Sequence, residues 1–502
     1  MKRLLSLVLM LALVLTLCPF AQAESAEPLK FTYMTITSDT WSVEDAPMQE
    51  AMRLSNTEIE FQLAPLETYA QSLQTMLATG KLPDVIQFRG DEQMNLLLDQ
   101  EVLLPLEDLI EEYAPGIVEF FGETNWKLAK ASNADGHVYY LPFAGTTPIT
   151  QSWMMRKDWL DRCNLEIPAT WEEWVNALKA FKEMDANGDG DASNEIPLSG
   201  MVQNLRYTFD IYFGNIFCLD AEGNYILMYD HPNYRAFLQT MRDLYAEGLL
   251  DKEYLDRNNE LNERNLKAAM ANDLVGCCFT FMNNMHDVDA IEGAQYIYMA
   301  PPIGPSGTQK QPGRGYAYGN ANAAAITVAA KDKAIDLLKY FEWVYSEEGQ
   351  RVFSFGIEGV SYDMVDGVPT LRPEFTVDFP TYRAWGMNYQ PVTHVWTGDA
   401  YVQVFTHGLS EEEMDNVSRQ FSKGAKLNEN EFYGQASVPT FSTPAYVEYY
   451  ADLSAQMNSL EAQAIAGNIS IDDFFTEYAK LKTQGLQDII DEAAAAYEAM
   501  MK

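Results

Sequence analysis

Residues 29–36, LKFTYMTI, alternate apolar and polar side chains, which is the pattern of a half-buried β-strand. The elements predicted after this strand are a helix over 47–54, a strand over 59–63, a helix over 69–78 with Gly80 as its C-cap, and a strand over 82–88. Because strands that alternate with helices form parallel sheets, we expect the N-terminal part of the chain to be an α/β domain.

The stretches that follow the first and third predicted strands are the first candidates for a binding site. Ligands of parallel sheets bind beyond the carboxyl ends of the strands. Residues 37–41 and 87–89 follow those two strands, so we expect both stretches at the mouth of a site.

Two changes in composition predict that the chain crosses between two regions. Residues 143–149 are rich in Gly, Thr and Pro, and residues 301–319 are rich in Gly and Pro. A third crossing is expected near residue 370. The expected lobes, with a cleft that closes by hinge bending, are an N-terminal lobe of 24–145 plus 316–370 and a C-terminal lobe of 146–315 plus 371–502.

The elements after the first crossing include a well-marked helix start. Thr170 is expected to be an N-cap, and Glu173 completes a capping box three residues later. The other predicted elements are a strand over 152–156, a helix over 158–162, a strand over 323–329, a helix over 331–346 and a mostly helical final hundred residues that end with 471–501.

The first 23 residues have the features of a signal peptide. Lys2 and Arg3 precede an apolar run over 4–17, and residues 21–23, AQA, form a signal-peptidase site. The apolar run of about 14 residues is short for a membrane span. We therefore expect an exported protein, extracellular or at the cell surface or in the periplasm, and lipidation of Cys18 stays open as an alternative to simple secretion.

Charge and composition narrow the class of protein. Without the leader, 32 Lys and Arg stand against 73 Asp and Glu, a net charge near −41. Binding to nucleic acid or to anionic membranes needs a basic surface, so this charge argues against both partners. A hydrophobic content of 47% excludes a disordered composition, and the length exceeds one core, so two or more domains are expected.

Cysteine spacing carries no motif. Cys163, Cys218, Cys277 and Cys278 remain after the leader, and no CxxC or Cys/His spacing indicates zinc. We expect free buried thiols, and a single disulfide is the alternative.

Several stretches together resemble one family, in its order, over nearly the whole mature chain. They are 79–86 (TGKLPDVI), 136–142 (GHVYYLP), 155–160 (MRKDWL) with 168–174 (PATWEEW), 345–349 (YSEEG), 355–360 (FGIEGV) and 466–474 (AGNISIDDF). The chain resembles the extracellular solute-binding proteins of ABC importers, closest to the long family 1 branch that includes lipo-oligosaccharide, alginate and multiple-sugar receptors. The resemblance implies a type II periplasmic-binding fold and membrane permease subunits as partners.

On this resemblance we expect a monomeric receptor that binds an oligosaccharide or a similar polar solute between two lobes and delivers it to a permease. A secreted carbohydrate-active enzyme and a non-transporting sensor-type binding protein are the alternatives, and a peptide or a lipid-linked ligand also stays open. The sequence contains no HExxH, GxSxG or P-loop motif, so the common hydrolase and phosphate-transfer motifs are missing.

Residues 185–191, DANGDGD, predict a structural calcium site. They supply oxygen ligands at loop positions 1, 3 and 5, a glycine at 6 and a backbone carbonyl at 7. An EF-hand loop has glutamate at position 12, but Ile196 occupies that position here. The receptors that this chain resembles carry a similar loop with an acidic pair just before an Ile-Pro dipeptide, and here Asn194 and Glu195 precede Ile196 and Pro197. The candidate ligands are Asp185, Asn187, Asp189, Asp191, Asn194 and Glu195. A polar loop held by Asx turns is the alternative.

Aromatic side chains outside the amphipathic helices are candidates for ligand contact, because sugar rings stack their C–H faces on aromatic rings. These candidates are Trp41, Phe88, Trp153, Tyr207, Tyr316, Trp385 and Trp396, with Trp41, Trp153 and Trp396 preferred for stacking. Gln87, Arg89 and Arg314 are the candidate polar contacts for hydroxyl groups. For any single aromatic residue, core or inter-lobe packing is the alternative, and helical spacing predicts that Trp171, Trp174 and Trp343 are core.

Overall fold

The computed structural model describes residues 27–37, 42–65, 68–131, 133, 135–141, 144–145, 151–214, 216–255, 259–281, 284, 288, 290–312, 323–376, 382, 395–396, 400, 403–404 and 440–501. The strands are β1 Leu29–Thr37, β2 Thr57–Pro65, β3 Val85–Phe88, β4 Ala144–Gly145, β5 Gln151–Arg156, β6 Ile196–Gly200, β7 Phe213–Gly214, β8 Phe217–Leu219, β9 Tyr225–Leu227, β10 Val275–Phe281, β11 Tyr296–Met299, β12 Ala323–Ile326, β13 Tyr362–Val365, β14 Val368–Leu371 and β15 Val395–Trp396.

The α-helices are α1 Ala46–Leu54, α2 Tyr69–Thr79, α3 Gly90–Asp99, α4 Glu107–Tyr113, α5 Pro115–Ala131, α6 Lys157–Arg162, α7 Trp171–Glu183, α8 Tyr234–Ala246, α9 Asn259–Ala271, α10 Ala334–Tyr345, α11 Glu347–Phe355, α12 Pro444–Ile465, α13 Ile471–Leu481 and α14 Gln487–Met501. In the part of the chain that the structure describes, no helix combines the length and the apolar composition needed to cross a membrane.

The first sheet has the strand order β12-β3-β1-β2. β1 runs parallel to β2, with Leu29 opposite Thr57 and Thr37 opposite Pro65, and β3 is also parallel to β1. β12 joins β3 antiparallel, with Ala323 opposite Phe88. The predicted parallel α/β arrangement at the N-terminus is confirmed, and a strand from much later in the chain completes the sheet.

Asp84 joins the start of β3 to β1. The backbone N–H and the hydroxyl of Thr32 donate to Asp84 Oδ2 at 2.7 and 3.0 Å, and Lys333 Nζ donates to the same oxygen at 2.8 Å. Burial alone would raise the pKa of Asp84, but the hydrogen bonds from Lys333 and Thr32 outweigh it and lower that pKa. The aspartate of the LPD stretch is therefore structural, at the end of the sheet opposite to the carboxyl ends of β1 and β3.

The second sheet has the strand order β11-β5-β10-β6. β5 is antiparallel to both β10 and β11, whereas β6 and β10 are parallel. Arg156 ends β5 with a fully buried side chain, whose Nε and Nη2 donate to the carboxylate of Asp158 at 2.8 and 2.7 Å and whose Nη1 donates to Asp273. This bidentate ion pair ties the sheet to the helix α6 that follows it.

Most predicted elements are confirmed to within a few residues, and the caps are confirmed exactly where the sequence placed them. Thr170 and Glu173 form the capping box of α7, and Gly80 ends α2 at φ +67°. All four thiols, Cys163, Cys218, Cys277 and Cys278, are free and buried. Trp174 is fully buried, whereas Trp171 and Trp343 are only half-buried.

Two predicted elements need correction. The strand predicted over 323–329 ends at Ile326, because the Thr327 side chain accepts a hydrogen bond from Ala329 N and starts a 3-10 helix, Val328–Lys333. The helix predicted over 471–501 is broken by a π-type turn at Lys482–Leu486, where Gly485 adopts φ +112°. Residues 405–439 of the expected helical C-terminus lie outside the described residues.

The chain passes between the two sheets more than once. It leaves the first sheet after β3, forms the whole of the second sheet between residues 151 and 299, and returns to the first sheet as β12. The C-terminal helices α12 and α14 then pack on the helix α8 and the strand β9, which lie between strands of the second sheet in sequence. The molecule is therefore two-lobed, and the exact lobe boundaries stay a prediction.

A buried ion pair fastens the C-terminal part of the chain. Arg206, in the 3-10 helix Val202–Phe209, donates to Glu461 of α12 at 2.7 Å, and the two side chains are 4% and 0% exposed. The guanidinium also lies 5.1 Å from the ring centre of Phe237 in α8. Both charges are removed from water, so the ion pair offsets part of the cost of burying each of them.

We predict that Glu461→Gln lowers the free energy of unfolding by about 3–5 kcal/mol, because it removes the carboxylate that pairs with the buried Arg206 charge. Urea unfolding followed by circular dichroism measures the loss. The matched control is Glu477→Gln, which removes an exposed ion pair to Lys480 on the neighbouring helix α13 and should change stability by about 0.5 kcal/mol or less. Equal losses in the two variants would contradict the assignment.

Candidate functional site

The first sheet presents the carboxyl ends of its parallel strands at one edge. β1 ends at Thr37 and β3 ends at Phe88, and Ala323, the first residue of β12, lies opposite Phe88. Helix α3 begins at Gly90, immediately after this edge. The stretches predicted to follow the strands therefore lie at one end of the sheet, as the general rule for parallel sheets requires.

The second sheet has a corresponding edge. β5 starts at Gln151, which lies opposite Phe281 at the end of β10, and β11 ends at Met299. β6 ends here at Gly200, whose φ is +84° and whose Cβ, if it had one, would lie 2.5 Å from the carbonyl oxygen of Phe279. Glycine is thus needed at the point where the chain turns from β6 into the 3-10 helix Val202–Phe209.

The two edges are joined by both crossovers. Leu141, which exchanges hydrogen bonds of 2.8 and 2.9 Å with Ala324, is ten residues before Gln151, so the first crossover spans at most about 36 Å. The second crossover leaves the second sheet at Met299 and re-enters the first sheet at Ala323. Both crossovers therefore start and end at these two edges.

A third passage runs beside the first. β15, Val395–Trp396, pairs in parallel with β4, Ala144–Gly145, which lies inside the first crossover. The backbone of Trp396 is therefore placed between the two edges. Its side chain lies outside the described residues, as do Trp41, Arg314, Tyr316 and Trp385, and these five ligand contacts stay predictions.

Gln87 and Phe88 lie inside the first lobe. Gln87 is 2% exposed, and its Oε1 accepts a hydrogen bond of 2.5 Å from the Thr35 hydroxyl, which ties β3 to β1. Phe88 is fully buried, with its ring edge-on to Tyr140 at 5.4 Å. For Phe88, core packing, the alternative that the sequence left open, accounts for the ring.

Arg89 is exposed and differs from its two neighbours. It occupies the N-cap position of α3, its backbone N–H donates to Gln93 Oε1 at 2.9 Å, and its side chain faces solvent. Among the predicted ligand contacts of the first lobe that the structure describes, Gln87 and Phe88 are buried and Arg89 is exposed. Its guanidinium group is therefore accessible to a ligand at the carboxyl edge of the first sheet.

Trp153 and Tyr207 lie inside the second lobe. Trp153 is 1% exposed and packs edge-on against Trp174 and Phe279, at ring-centre distances of 5.4 and 5.0 Å. Tyr207 is 2% exposed and lies 5.5 Å from the ring of Tyr212, and burial raises the pKa of its hydroxyl. In this arrangement both rings pack against protein, which is the alternative stated for each aromatic candidate.

The predicted metal loop winds around its own side chains. The carboxylate of Asp185 accepts hydrogen bonds from the backbone N–H groups of Gly188 and Gly190, each at 3.1 Å. Asn187 Oδ1 accepts from Asp189 N at 3.0 Å, and Asp189 Oδ1 accepts from Asp191 N at 2.8 Å. These are the Asx turns of the polar-loop alternative, and they leave further lone pairs on the carboxylates.

Distant residues anchor this loop. Arg162, at the end of α6, donates to the carbonyl oxygen of Ala186 and packs 3.6 Å from the position that a Cβ of Gly188 would take. Asn187 donates to Asp273 O at 3.3 Å and to Asn194 Oδ1 at 3.1 Å. Sequence reasoning missed Arg162 and Asp273, because both lie outside the motif and only the fold brings them to it.

Glu195 is the unusual group of the loop. Both of its carboxylate oxygens are buried, and neither has a hydrogen-bond partner of acceptable geometry in the described part of the chain. Burial raises the pKa of Glu195, and nearby Asp185 and Asp189 raise it further, against the opposing effect of the backbone amides of Glu195 and Asn187. A buried carboxylate without a partner is costly, so the site calls for a positive charge.

The donor chemistry of the loop fits a hard cation. Carboxylate, amide and carbonyl oxygens are the ligands that calcium prefers. Among the described residues, no three His, Cys, Asp or Glu side chains already converge on one point as metal ligands, so the amide oxygens of Asn187 and Asn194 and a backbone carbonyl would have to complete the set.

Comparison with known proteins identifies the family. A model of the bacterial extracellular solute-binding protein family matches residues 42–351. The chain belongs to this family. The match covers more than half of the chain; it begins after β1, just before α1, and ends within α11.

Two curated relatives resemble this solute-binding protein, one of them over nearly its whole length. The polygalacturonan/rhamnogalacturonan-binding protein YtcQ of Bacillus subtilis is 22% identical over 511 residues, which cover 99% of this chain and 98% of YtcQ. The fructooligosaccharide ABC transporter substrate-binding protein FusA of Streptococcus pneumoniae is 29% identical, but that alignment spans 48% of this chain and 46% of FusA.

Solved structures support the fold of the solute-binding protein. The crystal structure of the alginate-binding protein AlgQ2 without calcium ion matches with a TM-score of 0.72 and 22% identity, over 94% of this chain and 99% of AlgQ2. FusA of S. pneumoniae in complex with kestose matches with a TM-score of 0.67 and 21% identity, over 94% and 99% of the two chains. The fold is thus that of periplasmic solute-binding proteins, as the sequence predicts.

Proposed function

We propose that this chain is the extracellular receptor of an ABC importer, which closes its two lobes around an oligosaccharide and delivers it to the permease subunits. The observation that carries the proposal is that both crossovers start and end at one edge of each of the two sheets. Such connections let the lobes move about a hinge while the space between the edges opens and closes.

The relatives support a sugar as the ligand class. YtcQ is described as binding polygalacturonan and rhamnogalacturonan, FusA as binding fructooligosaccharides, and AlgQ2 as binding alginate. All three ligands are chains of sugar units rich in hydroxyl groups. We infer that the ligand of this chain belongs to the same chemical class. If no permease partner binds the protein, a non-transporting sensor role is the alternative.

We propose that Arg89 contacts the ligand from the first lobe. Its guanidinium is exposed at the carboxyl edge of the first sheet and supplies hydrogen-bond donors that sugar hydroxyls accept. Trp41, Arg314, Tyr316, Trp385 and Trp396 are proposed as further contacts, because they follow strand ends or lie in the crossovers. Gln87 positions the end of β3 next to Arg89, since its side chain accepts a hydrogen bond from Thr35 of β1.

We predict that oligosaccharides stabilise the protein against heat. The screen contains kestose, a trisaccharide of galacturonic acid and an alginate trisaccharide, each with calcium present. A sugar at 100 times its dissociation constant should add about 2.7 kcal/mol of stability, because it binds only the folded state. Recovery of the sugar unchanged after incubation distinguishes a receptor from a carbohydrate-active enzyme.

Variants locate the binding surface in the same screen. Arg89→Ala should weaken binding of the active sugar about tenfold, the effect of losing one or two hydrogen bonds to a charged group. The control Arg53→Ala removes an exposed arginine that pairs with Glu50 on α1, and it should leave the dissociation constant unchanged. A chain that none of the three sugars stabilises would contradict the proposed ligand class.

We propose that the loop at 185–195 binds a structural calcium ion. Asp185, Asn187, Asp189, Asp191, Asn194 and Glu195 are the proposed ligands, and bound calcium would supply the positive charge that the buried Glu195 carboxylate lacks. One solved structure of FusA is of an EF-hand mutant, and AlgQ2 was solved without calcium ion. Both support the proposal that this loop binds calcium.

We predict opposite effects of Glu195→Gln with and without calcium. In a chelator, the variant should melt at a higher temperature than the wild type, because the buried unpaired charge is removed. In calcium, the wild type should gain stability and the variant should gain little. Glu183→Gln, an exposed position of the preceding helix α7, is the control and should follow the wild type. A wild-type melting temperature that is equal in calcium and chelator would contradict the site.

The proposed location follows from the leader and the family. The family is extracellular, and we propose that the leader over 1–23 exports the chain and that Cys18 is the position of a lipid anchor if one is added. One relative, LipO of Bacillus subtilis, is described as a lipoprotein. Mass spectrometry of the mature N-terminus decides between a start at Glu24 and a lipidated Cys18.

A further inference from the structure

Gln311 carries a buried amide with no partner. Its side chain is 0% exposed, and within the described residues neither Oε1 nor Nε2 has a hydrogen-bond partner. A glutamine amide has two donor hydrogens and an acceptor oxygen. Leaving all of them unpaired in the interior is unfavourable, and such a group calls for an explanation.

The turn before Gln311 returns the chain to the edge of the second sheet. Gly304 N donates to Thr308 O at 2.7 Å, and Gln309 Nε2 donates to Pro301 O at 2.9 Å. Residues 301–304 and 308–309 therefore lie on the two sides of a turn. Gln311 follows Gln309 by two residues, and Pro301, which accepts the hydrogen bond from Gln309, follows the end of β11 by two residues, so Gln311 lies near this edge of the second sheet.

A second unpaired group lies on a segment that touches this turn. Thr208, in the 3-10 helix after β6, is 1% exposed, and its Oγ1 has no hydrogen-bond partner in the described chain. Gly304 packs so tightly on Thr208 that a Cβ would lie 1.9 Å from the Thr208 carbonyl oxygen. Two segments in contact at one edge thus each hold an unused hydrogen-bonding side chain.

We propose that Gln311 binds the ligand directly. Its side-chain amide forms hydrogen bonds with a hydroxyl group of the bound sugar, and the Thr208 hydroxyl belongs to the same polar subsite. This inference rests on the proposed function as a sugar receptor. A hydroxyl both donates and accepts, so it satisfies Oε1 and Nε2 together. A carboxylate only accepts and would leave Oε1 unpaired.

The burial of Gln311 makes it responsive to the arrangement of the lobes. With no exposed surface, the amide is reached by a ligand only when the second crossover shifts, and hinge bending moves that segment. The unpaired amide makes the present arrangement less stable, and a sugar hydroxyl offsets that penalty in the bound arrangement. Gln311 thereby gives the ligand a different affinity for the two arrangements, which is the requirement for a population shift.

The test compares two glutamines on the same arm. Gln311→Met keeps the length of the side chain and removes its polar atoms, and Gln309→Met removes an amide that already has a partner. Without ligand, Gln311→Met should raise the melting temperature by about 1–3 °C, and Gln309→Met should lower it. Titration calorimetry with each sugar of the thermal screen that stabilises the wild type should show about tenfold weaker binding in Gln311→Met, and no change in Gln309→Met.

The outcomes separate this inference from the proposed function. A wild type that binds none of the three sugars of the thermal screen overturns the proposed ligand class and this inference with it. A wild type that binds, together with an unchanged affinity in Gln311→Met, overturns the inference alone. A lower melting temperature in Gln311→Met also overturns it, because the amide would then have a partner, such as an internal water, in the unliganded protein.

Discussion

The pairing of β12 with β3 is the interaction on which the architecture depends. Ala323–Ile326 is fully buried, pairs antiparallel with β3 on one side and exchanges hydrogen bonds with Leu141 on the other. This short strand returns the chain to the first sheet after the second lobe is complete, and it does so beside the residue from which the first crossover leaves. The chain therefore leaves and re-enters the first sheet at one junction.

Local signals made much of the fold predictable. Alternation marked β1, the capping box marked the start of α7, and Gly80 marked the end of α2, because each of these depends on residues close in sequence. The extent of β12 was wrong, since Thr327 starts a 3-10 helix with a hydrogen bond that composition does not reveal. The break at Gly485 was missed, because the amphipathic pattern continues across it. The antiparallel placement of β12 needs a partner more than 200 residues away, and no local pattern encodes that.

The site was less predictable than the fold, for a physical reason. An aromatic or polar residue near a strand end can face the cleft or the core, and the sequence does not say which. Phe88 and Trp153 pack in cores, while Arg89 faces solvent one residue after Phe88. Gln311 was not selected by sequence reasoning at all, since a glutamine between Lys310 and Pro312 has no distinctive pattern. Its significance is visible only once its burial and its missing partners are known. The metal loop was found because its ligands are consecutive, whereas its anchors Arg162 and Asp273 were not.

The structure describes a solute-binding protein with two sheets, crossovers that start and end at one edge of each sheet, and a loop whose oxygen donors fit a structural cation. Closure of the lobes on a bound sugar is the central claim, because capture and delivery both require it. Small-angle X-ray scattering on the calcium-loaded protein, with and without a saturating oligosaccharide that stabilises it, measures this closure. The account predicts a smaller radius of gyration with the sugar. An identical radius of gyration in the two states, at confirmed saturation, would contradict it.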